Sequence, residues 1–126
     1  MADRTDGARR GRSGEAHARA WLEGRGYVTI DSNWRCPAGE LDLVMLDGDE
    51  LAIVEVKTRT GERFGRATEA VTPAKQRKLL ATAAWFASEH PEHEDRIWRI
   101  DIVAVTIDPR TGAARIDHIE NAVVEA

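Results

Sequence analysis

The sequence contains one cysteine, Cys36, and no apolar stretch that approaches the length of a membrane span. A single cysteine excludes an internal disulfide and a zinc site built from several cysteines, and it is consistent with a reducing compartment. A spanning helix would need about 20 consecutive apolar residues. Residues 1–12 also lack the apolar segment of a signal peptide. We therefore expect a cytoplasmic protein without a membrane partner.

The chain has 126 residues and no visible internal repeat. A chain of this length buries about two-thirds of its unfolded surface and has room for one hydrophobic core. Its first twelve residues carry four arginines among glycine, alanine and aspartate, which is too polar a segment to pack. We predict a single domain over residues 13–126, preceded by a flexible basic arm at residues 1–12.

The net charge of −4 is distributed unevenly along the chain. Residues 36–56 carry six acids and no base, whereas residues 57–78 carry seven bases and two acids. Because phosphate binding depends on local Lys and Arg, an acidic cluster followed by a basic segment suits a metal-assisted phosphodiester site. Segregated charge can equally arise from solvated loops and helix faces, so it supports this interpretation without establishing it.

The hydrophobic pattern predicts the order helix, three strands, helix, strand, with a short strand appended. The predicted helices cover residues 13–25, with Ser13 as N-cap, and 72–89, and the strands cover 27–35, 39–46, 51–58, 97–106 and 113–119. Thr72 followed by Pro73 is a strong helix start. The second helix is long enough to connect two parallel strands. The sequence therefore predicts an α/β fold with a mixed central sheet flanked by helices.

Two neighbouring apolar strands carry carboxylates where a buried strand should be hydrophobic. A two-residue turn at Gly48-Asp49 would place Asp42 opposite Glu55, with the Cβ atoms about 4.5–5.5 Å apart. Like charges so placed repel, and a divalent cation between them would convert the repulsion into coordination. Lys57 projects from the same face as Glu55. The alternative is that these are solvated charges at strand ends.

Two further acids, Glu40 and Asp101, each have alternative roles. The same register places Glu40 opposite Lys57, where it could pair with the lysine or line a metal site. Asp101 interrupts the apolar strand over residues 97–106. A structural ion pair with Arg99 or another base is a better explanation of Asp101 than catalysis, because buried charges are normally paired.

The motifs around these residues resemble those of the YraN-like uncharacterised protein family. They are Gly39-Glu40-Leu41-Asp42-Leu43-Val44 and Val54-Glu55-Val56-Lys57-Thr58-Arg59, after a Gly14-Glu15 helix and before Thr72-Pro73-Ala74-Lys75-Gln76. The resemblance extends over about residues 11–123. That family resembles archaeal Holliday-junction resolvases within the PD-(D/E)XK nuclease superfamily. The resemblance implies a restriction-endonuclease-like αβββαβ core. The proline of the superfamily name is absent, since Leu41 precedes Asp42.

The resemblance also assigns roles to individual residues. It implies that Asp42 and Glu55, with the backbone carbonyl of Val56, bind Mg²⁺ or Mn²⁺. Lys57 would be the catalytic lysine of the motif. A glutamate on the first helix, here Glu15, would complete the catalytic and metal site. The alternative for Glu15 is an acid favoured by the dipole of the first helical turn.

Residues of the second predicted helix and the segment before it would complete the site. Gln76 lies on the apolar side of that helix, where many superfamily members place a glutamine or lysine near the active site; the alternative is simple exposure in the first turn. The basic residues expected to bind nucleic acid are Arg59, Arg63, Arg66, Lys75, Arg77 and Lys78. Contacts to the phosphate backbone of nucleic acid give affinity without sequence preference. We therefore expect the protein to recognise branched or structured DNA rather than a particular base sequence.

These inferences predict a metal-dependent endonuclease that hydrolyses phosphodiester bonds in nucleic acid. The alternative function is a non-catalytic module that binds nucleic acid or protein on a nuclease-like fold. A homodimer is compatible with the sequence, although no feature of the sequence requires one.

Overall fold

In the computed structural model, a five-stranded mixed sheet lies between two helices of the described chain. The backbone is described for residues 3–60 and 72–123, and the side chains for residues 14–60 and 72–122. The elements are α1 (Asp3–Gly24), β1 (Val28–Cys36), β2 (Gly39–Asp47), β3 (Glu50–Thr60), α2 (Pro73–Glu89), β4 (Trp98–Ile107) and β5 (Ala114–Val123), with a 3-10 turn at Pro91–His93. No helix of these residues is long and apolar enough to cross a membrane.

The strands lie in the order β1-β2-β3-β4-β5. The first three form an antiparallel meander, β3 and β4 are parallel, and β5 returns antiparallel to β4. The predicted α/β class, the element order and the parallel pairing across α2 are confirmed. A parallel pair needs a long connection, and α2 is part of the one between β3 and β4.

Alternation along the strands divides the apolar residues between two cores. Leu51 and Ile53 of β3 pack on the side of α2, whereas Ala52 and Val54 pack on the side of α1. The α2 core contains Leu41, Val44, Leu79, Ala83, Phe86, Ile100, Ile102 and Ala104. The α1 core contains Ala18, Leu22, Tyr27, Leu43, Met45, Val103 and Val105. The helices therefore cover opposite faces, and the sheet is buried on both sides.

The two helix starts were not equally predictable. α2 begins as expected, because Thr72 Oγ1 accepts a hydrogen bond from the backbone N of Lys75 at 3.3 Å and Pro73 occupies the first turn. The prediction that α1 begins at Ser13 is wrong, since the helix begins at Asp3. The two glycines in residues 3–12 lower helix propensity by about 1 kcal/mol each without forbidding a helix. The flexibility of residues 1–12 stays a prediction.

A buried ion-pair network crosses from β4 to β5 on the α1 side. Asp101 is fully buried and its carboxylate lies 3.1 Å from Arg99 Nε, 2.9 Å from His118 Nε2 and 2.9 Å from the backbone N of Asn121. Burial acts to raise the pKa of Asp101, but these hydrogen bonds outweigh burial and hold the pKa below its ordinary value. The predicted structural pairing of Asp101 with Arg99 is confirmed.

Arg99 extends the same network to the turn between β2 and β3. Its guanidinium lies 3.0 Å from Asp47 Oδ2 and 3.2 Å from Glu50 Oε1, and it donates to the Tyr27 hydroxyl at 2.7 Å. One buried arginine thus ties β4 to the turn and to the residue that precedes β1. Planar guanidinium groups suit such multiple contacts.

Removal of the central carboxylate should destabilise the protein strongly. We expect Asp101→Ala to lower the free energy of unfolding by about 3–5 kcal/mol, because it removes the fully buried carboxylate that pairs with the buried Arg99 charge. Urea unfolding measures the change. The control is Asp117→Ala, which removes an exposed pair with Arg115 at 3.5 Å and should cost less than about 1 kcal/mol. Equal losses in the two variants would contradict this explanation.

Candidate active site

The β2–β3 hairpin carries most of the residues of the candidate site. Asp47 pairs with Glu50, Leu46 with Leu51 and Val44 with Ile53. The turn between them consists of Gly48 and Asp49, and Gly48 has the left-handed φ of 59° that glycine adopts readily. The register predicted from the sequence is confirmed over this part of the hairpin.

The hairpin opens where the two motif carboxylates begin. The backbone ladder ends at the Leu43–Val54 pair, so Asp42 and Glu55 occupy the next positions without forming a ladder pair. The backbone N of Val56 instead donates to Asp42 Oδ2 at 2.8 Å. Because the N–H and C=O of one strand residue point toward the same neighbouring strand, the Val56 carbonyl also faces this gap. The Asp42 carboxylate thus replaces a backbone carbonyl as acceptor.

A cavity of about 280 Å³ lies beside this opening, between the hairpin and α2. Among the described residues, its wall consists of Glu40, Asp42, Glu55 and Lys57 from the hairpin and Lys75, Lys78, Leu79 and Thr82 from α2. Lys57 Nζ lies 3.2 Å from Glu55 Oε1, and these side chains are 23% and 18% exposed. The structure therefore brings Asp42, Glu55 and Lys57 together in one partly enclosed space.

The pKa of Asp42, in the cavity wall, is shifted far from the ordinary value of an aspartate. Burial and the negative charge of Glu55 raise the pKa of Asp42 to about 7, although the hydrogen bond from Val56 acts in the opposite direction. The charges of Glu15 and Glu40 raise the pKa further. A carboxyl group that ionises near neutral pH among other acids favours the approach of positive charge.

Glu15 reaches the same group of acids from α1. A Cβ atom on the preceding Gly14 would collide with the Thr58 side chain, so α1 packs directly on β3 at this point. Burial raises the pKa of Glu15, a hydrogen bond from Asn33 opposes that effect, and the charges of Glu40 and Glu55 add to it. Glu15 is therefore electrostatically coupled to the cluster, although it is not among the described residues of the cavity wall. We call Glu15, Glu40, Asp42 and Glu55 the acidic cluster.

Glu40 has a different partner from the one suggested by the register. Its carboxylate lies 3.3 Å from Arg35 Nε, while Lys57 pairs with Glu55. The suggested pairing of Glu40 with Lys57 is wrong, because β2 and β3 separate before these positions and Arg35 is the direct partner of Glu40 in β1. Glu40 does line the cavity, and its alternative role in lining a metal site stays a prediction.

The helix α2 presents lysines to the cavity. Lys75, Lys78, Leu79 and Thr82 follow the i, i+3, i+4, i+7 spacing of one helical face. Gln76 is half-buried on the adjacent side and is not among the described wall residues, so its predicted place beside the site is not observed. Of the other predicted basic residues, Arg59 lies in β3, Arg77 is exposed on α2, and Arg63 and Arg66 lie outside the described residues.

The cavity offers a hard divalent cation two neighbouring carboxylates, those of Asp42 and Glu55, as ligands. No three His, Cys, Asp or Glu side chains within residues 14–60 and 72–122 are arranged to hold a metal ion together. Mg²⁺ is often bound by one or two carboxylates plus water and substrate phosphate. Asp42 and Glu55, with the Val56 carbonyl beside them, fit that requirement for Mg²⁺ or Mn²⁺.

Two residues near the site, Gly39 and Asn33, have features that were not predicted from the sequence. A Cβ atom on Gly39 would lie 2.8 Å from Thr82 Oγ1 and 3.1 Å from Lys78 Cε. Glycine at this position therefore allows Lys78 of α2 to pack over the start of β2. Asn33 has a left-handed φ of 52° inside β1. Packing identifies the first position and backbone conformation the second.

Comparison with known sequences places this geometry in a family. The model of the uncharacterised protein family UPF0102 matches residues 14–105, which include Glu15, the hairpin and α2. A UPF0102 protein of Beutenbergia cavernae is 49% identical over 109 residues, covering 86% of this chain and 91% of the relative. One from Roseiflexus castenholzii is 42% identical over 113 residues, covering 90% and 91%. One from Pseudomonas paraeruginosa is 38% identical over 122 residues, covering 97% and 98%. These names state no activity.

The ionisation of Asp42 should appear in the pH dependence of stability. Its folded-state pKa of about 7 exceeds the ordinary 3.8, so the folded protein binds the proton more tightly and gains stability as pH falls through 7. We expect Asp42→Asn to be more stable than wild type by roughly 2 kcal/mol at pH 8 without divalent cations, and to lose this advantage by pH 5. Urea unfolding at both pH values measures it. The exposed Asp95→Asn control should follow wild type; an Asp42→Asn profile parallel to wild type would contradict the assignment.

The close approach at Gly39 should not tolerate a methyl group. We expect Gly39→Ala to displace Thr82 and Lys78 and to lower the free energy of unfolding by about 1–3 kcal/mol. Gly24→Ala is the matched control, because nothing lies within 4 Å of its added Cβ atom. Thermal or urea unfolding of both variants gives the comparison, and a fully stable Gly39→Ala would show that α2 is not held at this distance.

Proposed function

The chain belongs to the uncharacterised protein family UPF0102, and from this premise we propose that it is a metal-dependent endonuclease that hydrolyses phosphodiester bonds in nucleic acid. The family resemblance inferred from the sequence is confirmed, whereas the place of the family among PD-(D/E)XK nucleases is part of the proposal. The observation that supports it most is the shared cavity of Asp42, Glu55 and Lys57 where the hairpin opens.

Each residue of the opening has a distinct proposed task. Asp42 and Glu55, with the Val56 carbonyl, would hold Mg²⁺ or Mn²⁺, and the Val56 N–H fixes the orientation of the Asp42 carboxylate. The bound ion would lower the pKa of water and offset the charge that develops on the phosphate in the transition state. Lys57, held 3.2 Å from Glu55, would orient the attacking hydroxide and balance its charge.

The proposed substrate is DNA, with branched or structured DNA the first choice. Lys75 and Lys78 in the cavity wall would contact the phosphate adjoining the scissile bond. The wider backbone contacts would come from Arg59, Arg63, Arg66 and Arg77. Such contacts carry affinity but little base preference. We propose action in the cytoplasm, and either a monomer or a homodimer is compatible with this function.

One observation favours the alternative function, a non-catalytic module that binds nucleic acid or protein. Glu55 is already neutralised by Lys57 at 3.2 Å, so part of the acidic cluster is stable without a cation. A nuclease-like site could therefore persist as a structural or binding element. Calorimetric titration with Mn²⁺ separates the alternatives: binding without cleavage of any substrate supports the module, whereas absence of binding argues against the proposed metal site.

Cleavage assays test the proposed reaction directly. With Mn²⁺ or Mg²⁺, we expect wild type to cleave at least one of branched, duplex or single-stranded DNA or RNA. Asp42→Ala and Lys57→Ala should lose at least about 100-fold in rate, since each removes a group that acts on the transition state. Arg110→Ala, in the exposed turn before β5, should retain wild-type activity. Equal residual activity in wild type, Asp42→Ala and Lys57→Ala would identify a contaminant and reject the proposal.

A further inference from the structure

Two arginines lie in one row of the sheet, next to the cavity. On β3, Lys57 is in the cavity wall and Arg59 follows two residues later, so both project from the same face of the sheet. Arg59 is in register with Thr106 of β4, and Thr106 is in register with Arg115 of β5. Directly paired residues share a face. The row of Arg59, Thr106 and Arg115 therefore crosses three strands on the cavity side of the sheet.

The hydrophobic packing gives the same face for this row. Ile102 and Ala104 of β4 belong to the α2 core, and Ile119 of β5 packs against that core. Because side chains alternate along a strand, Thr106 and Arg115 project from the same side as these residues. The register of β5 on β4 is continuous over this stretch. Arg115 thus lies on the face that carries the cavity, although it is far from Arg59 in the chain.

The positions of the cations suit a ligand that is longer than the cavity. Neighbouring strands are about 4.8 Å apart, so the backbones at Arg59 and Arg115 are separated by roughly 10 Å. Neither arginine is among the described residues of the cavity wall, whose cations are Lys57, Lys75 and Lys78. A single phosphate held in the cavity would not extend to β5. A nucleic-acid strand repeats its negative charge about every 3.4 Å along the helix axis, and it would meet both sets of cations.

The ion pair that Arg115 makes in the structure is exposed. Its guanidinium lies 3.5 Å from the carboxylate of Asp117, and the two side chains are 66% and 50% exposed. Pairs of this kind contribute little to stability, because water and salt screen them. A guanidinium binds phosphate through two parallel hydrogen bonds. A phosphate can therefore replace Asp117 as the partner of Arg115 at small cost.

We propose that Arg115 is a nucleic-acid-binding residue, which together with Arg59 holds the phosphate backbone where it leaves the cavity and crosses β4 and β5. The inference rests on the proposed function, since it extends the same substrate site to the edge strand. Arg115 lies beyond residues 14–105, so the match to the family model assigns it no role. The surface adds affinity without base preference, as contacts to phosphate do.

The test compares two variants that break the same ion pair. Arg115→Gln removes a phosphate ligand and should weaken the binding of a DNA duplex about 5-fold at about 0.1 M salt. Asp117→Asn removes a competing carboxylate and should strengthen binding. The slope of log affinity against log salt should become shallower by about one in Arg115→Gln. Fluorescence anisotropy of labelled DNA without divalent cations measures all three, since no cleavage interferes.

The matched control is the exposed pair of Arg19 and Glu23 on α1, which are 3.2 Å apart on the opposite side of the sheet. Arg19→Gln and Glu23→Gln make the same changes of net charge, and they should alter DNA affinity by less than about 2-fold because salt screens distant charges. All four variants should keep the thermal stability of wild type. Wild-type affinity in Arg115→Gln, or equal effects at the two pairs, would overturn the proposal.

Cleavage assays separate this inference from the proposed function. In a protein that cleaves, Arg115→Gln should raise KM and leave kcat unchanged, because the contact is the same before and during the reaction. The expected changes of affinity in a protein that cleaves no substrate would reject the nuclease and retain the binding surface. Cleavage with wild-type KM and affinity in Arg115→Gln would reject the surface and retain the nuclease.

Discussion

The hydrogen bond from the Val56 backbone N to Asp42 Oδ2 is the interaction on which the candidate site depends. At Val56 a backbone carbonyl of β2 would normally accept the bond, but the ladder ends two residues earlier, at Val54, and a carboxylate accepts it at 2.8 Å. Because the Asp42 carboxylate takes the place of a backbone carbonyl, the Val56 N–H keeps an acceptor while β2 and β3 separate. The same arrangement buries a carboxyl group in the gap between the two strands. The cavity, the altered ionisation of Asp42 and the exposure of the Val56 carbonyl to the gap all follow from it.

Two aspartates of the sheet, Asp101 in β4 and Asp42 in β2, show how one kind of residue acquires opposite properties. Beside the hairpin, in β4, Asp101 is surrounded by Arg99, His118 and the backbone N of Asn121, and these hydrogen bonds lower the pKa of that carboxyl group. At the open end, burial and neighbouring acids raise the pKa of Asp42 to about 7 with one backbone donor in opposition. A neutralised network stabilises the fold, whereas a cluster with unbalanced negative charge can attract a cation. This contrast separates a structural aspartate from a candidate catalytic one.

Both helices meet the site at glycines, where the backbones approach closely. Gly14 brings α1 against Thr58 and thereby carries Glu15 to the acidic cluster, and Gly39 lets Lys78 and Thr82 of α2 pack over the start of β2. Acidic groups from the sheet therefore meet lysines from one helix and a glutamate from the other. An opening in a hairpin would expose its carboxylates to solvent, but α2 converts it into a partly enclosed cavity with both signs of charge.

The α/β class, the order of elements and the hairpin register could all be predicted from the sequence, because alternation of period two, a Gly-Asp turn and a Thr-Pro helix start are local signals. The sequence also indicated that Asp42, Glu55 and Lys57 share a site. Only the packed structure shows that Glu40 pairs with Arg35 and that Lys75 and Lys78, rather than Gln76, are among the described residues of the cavity wall. These contacts join elements distant in the chain, and they depend on the distance and rotation at which each helix packs on the sheet.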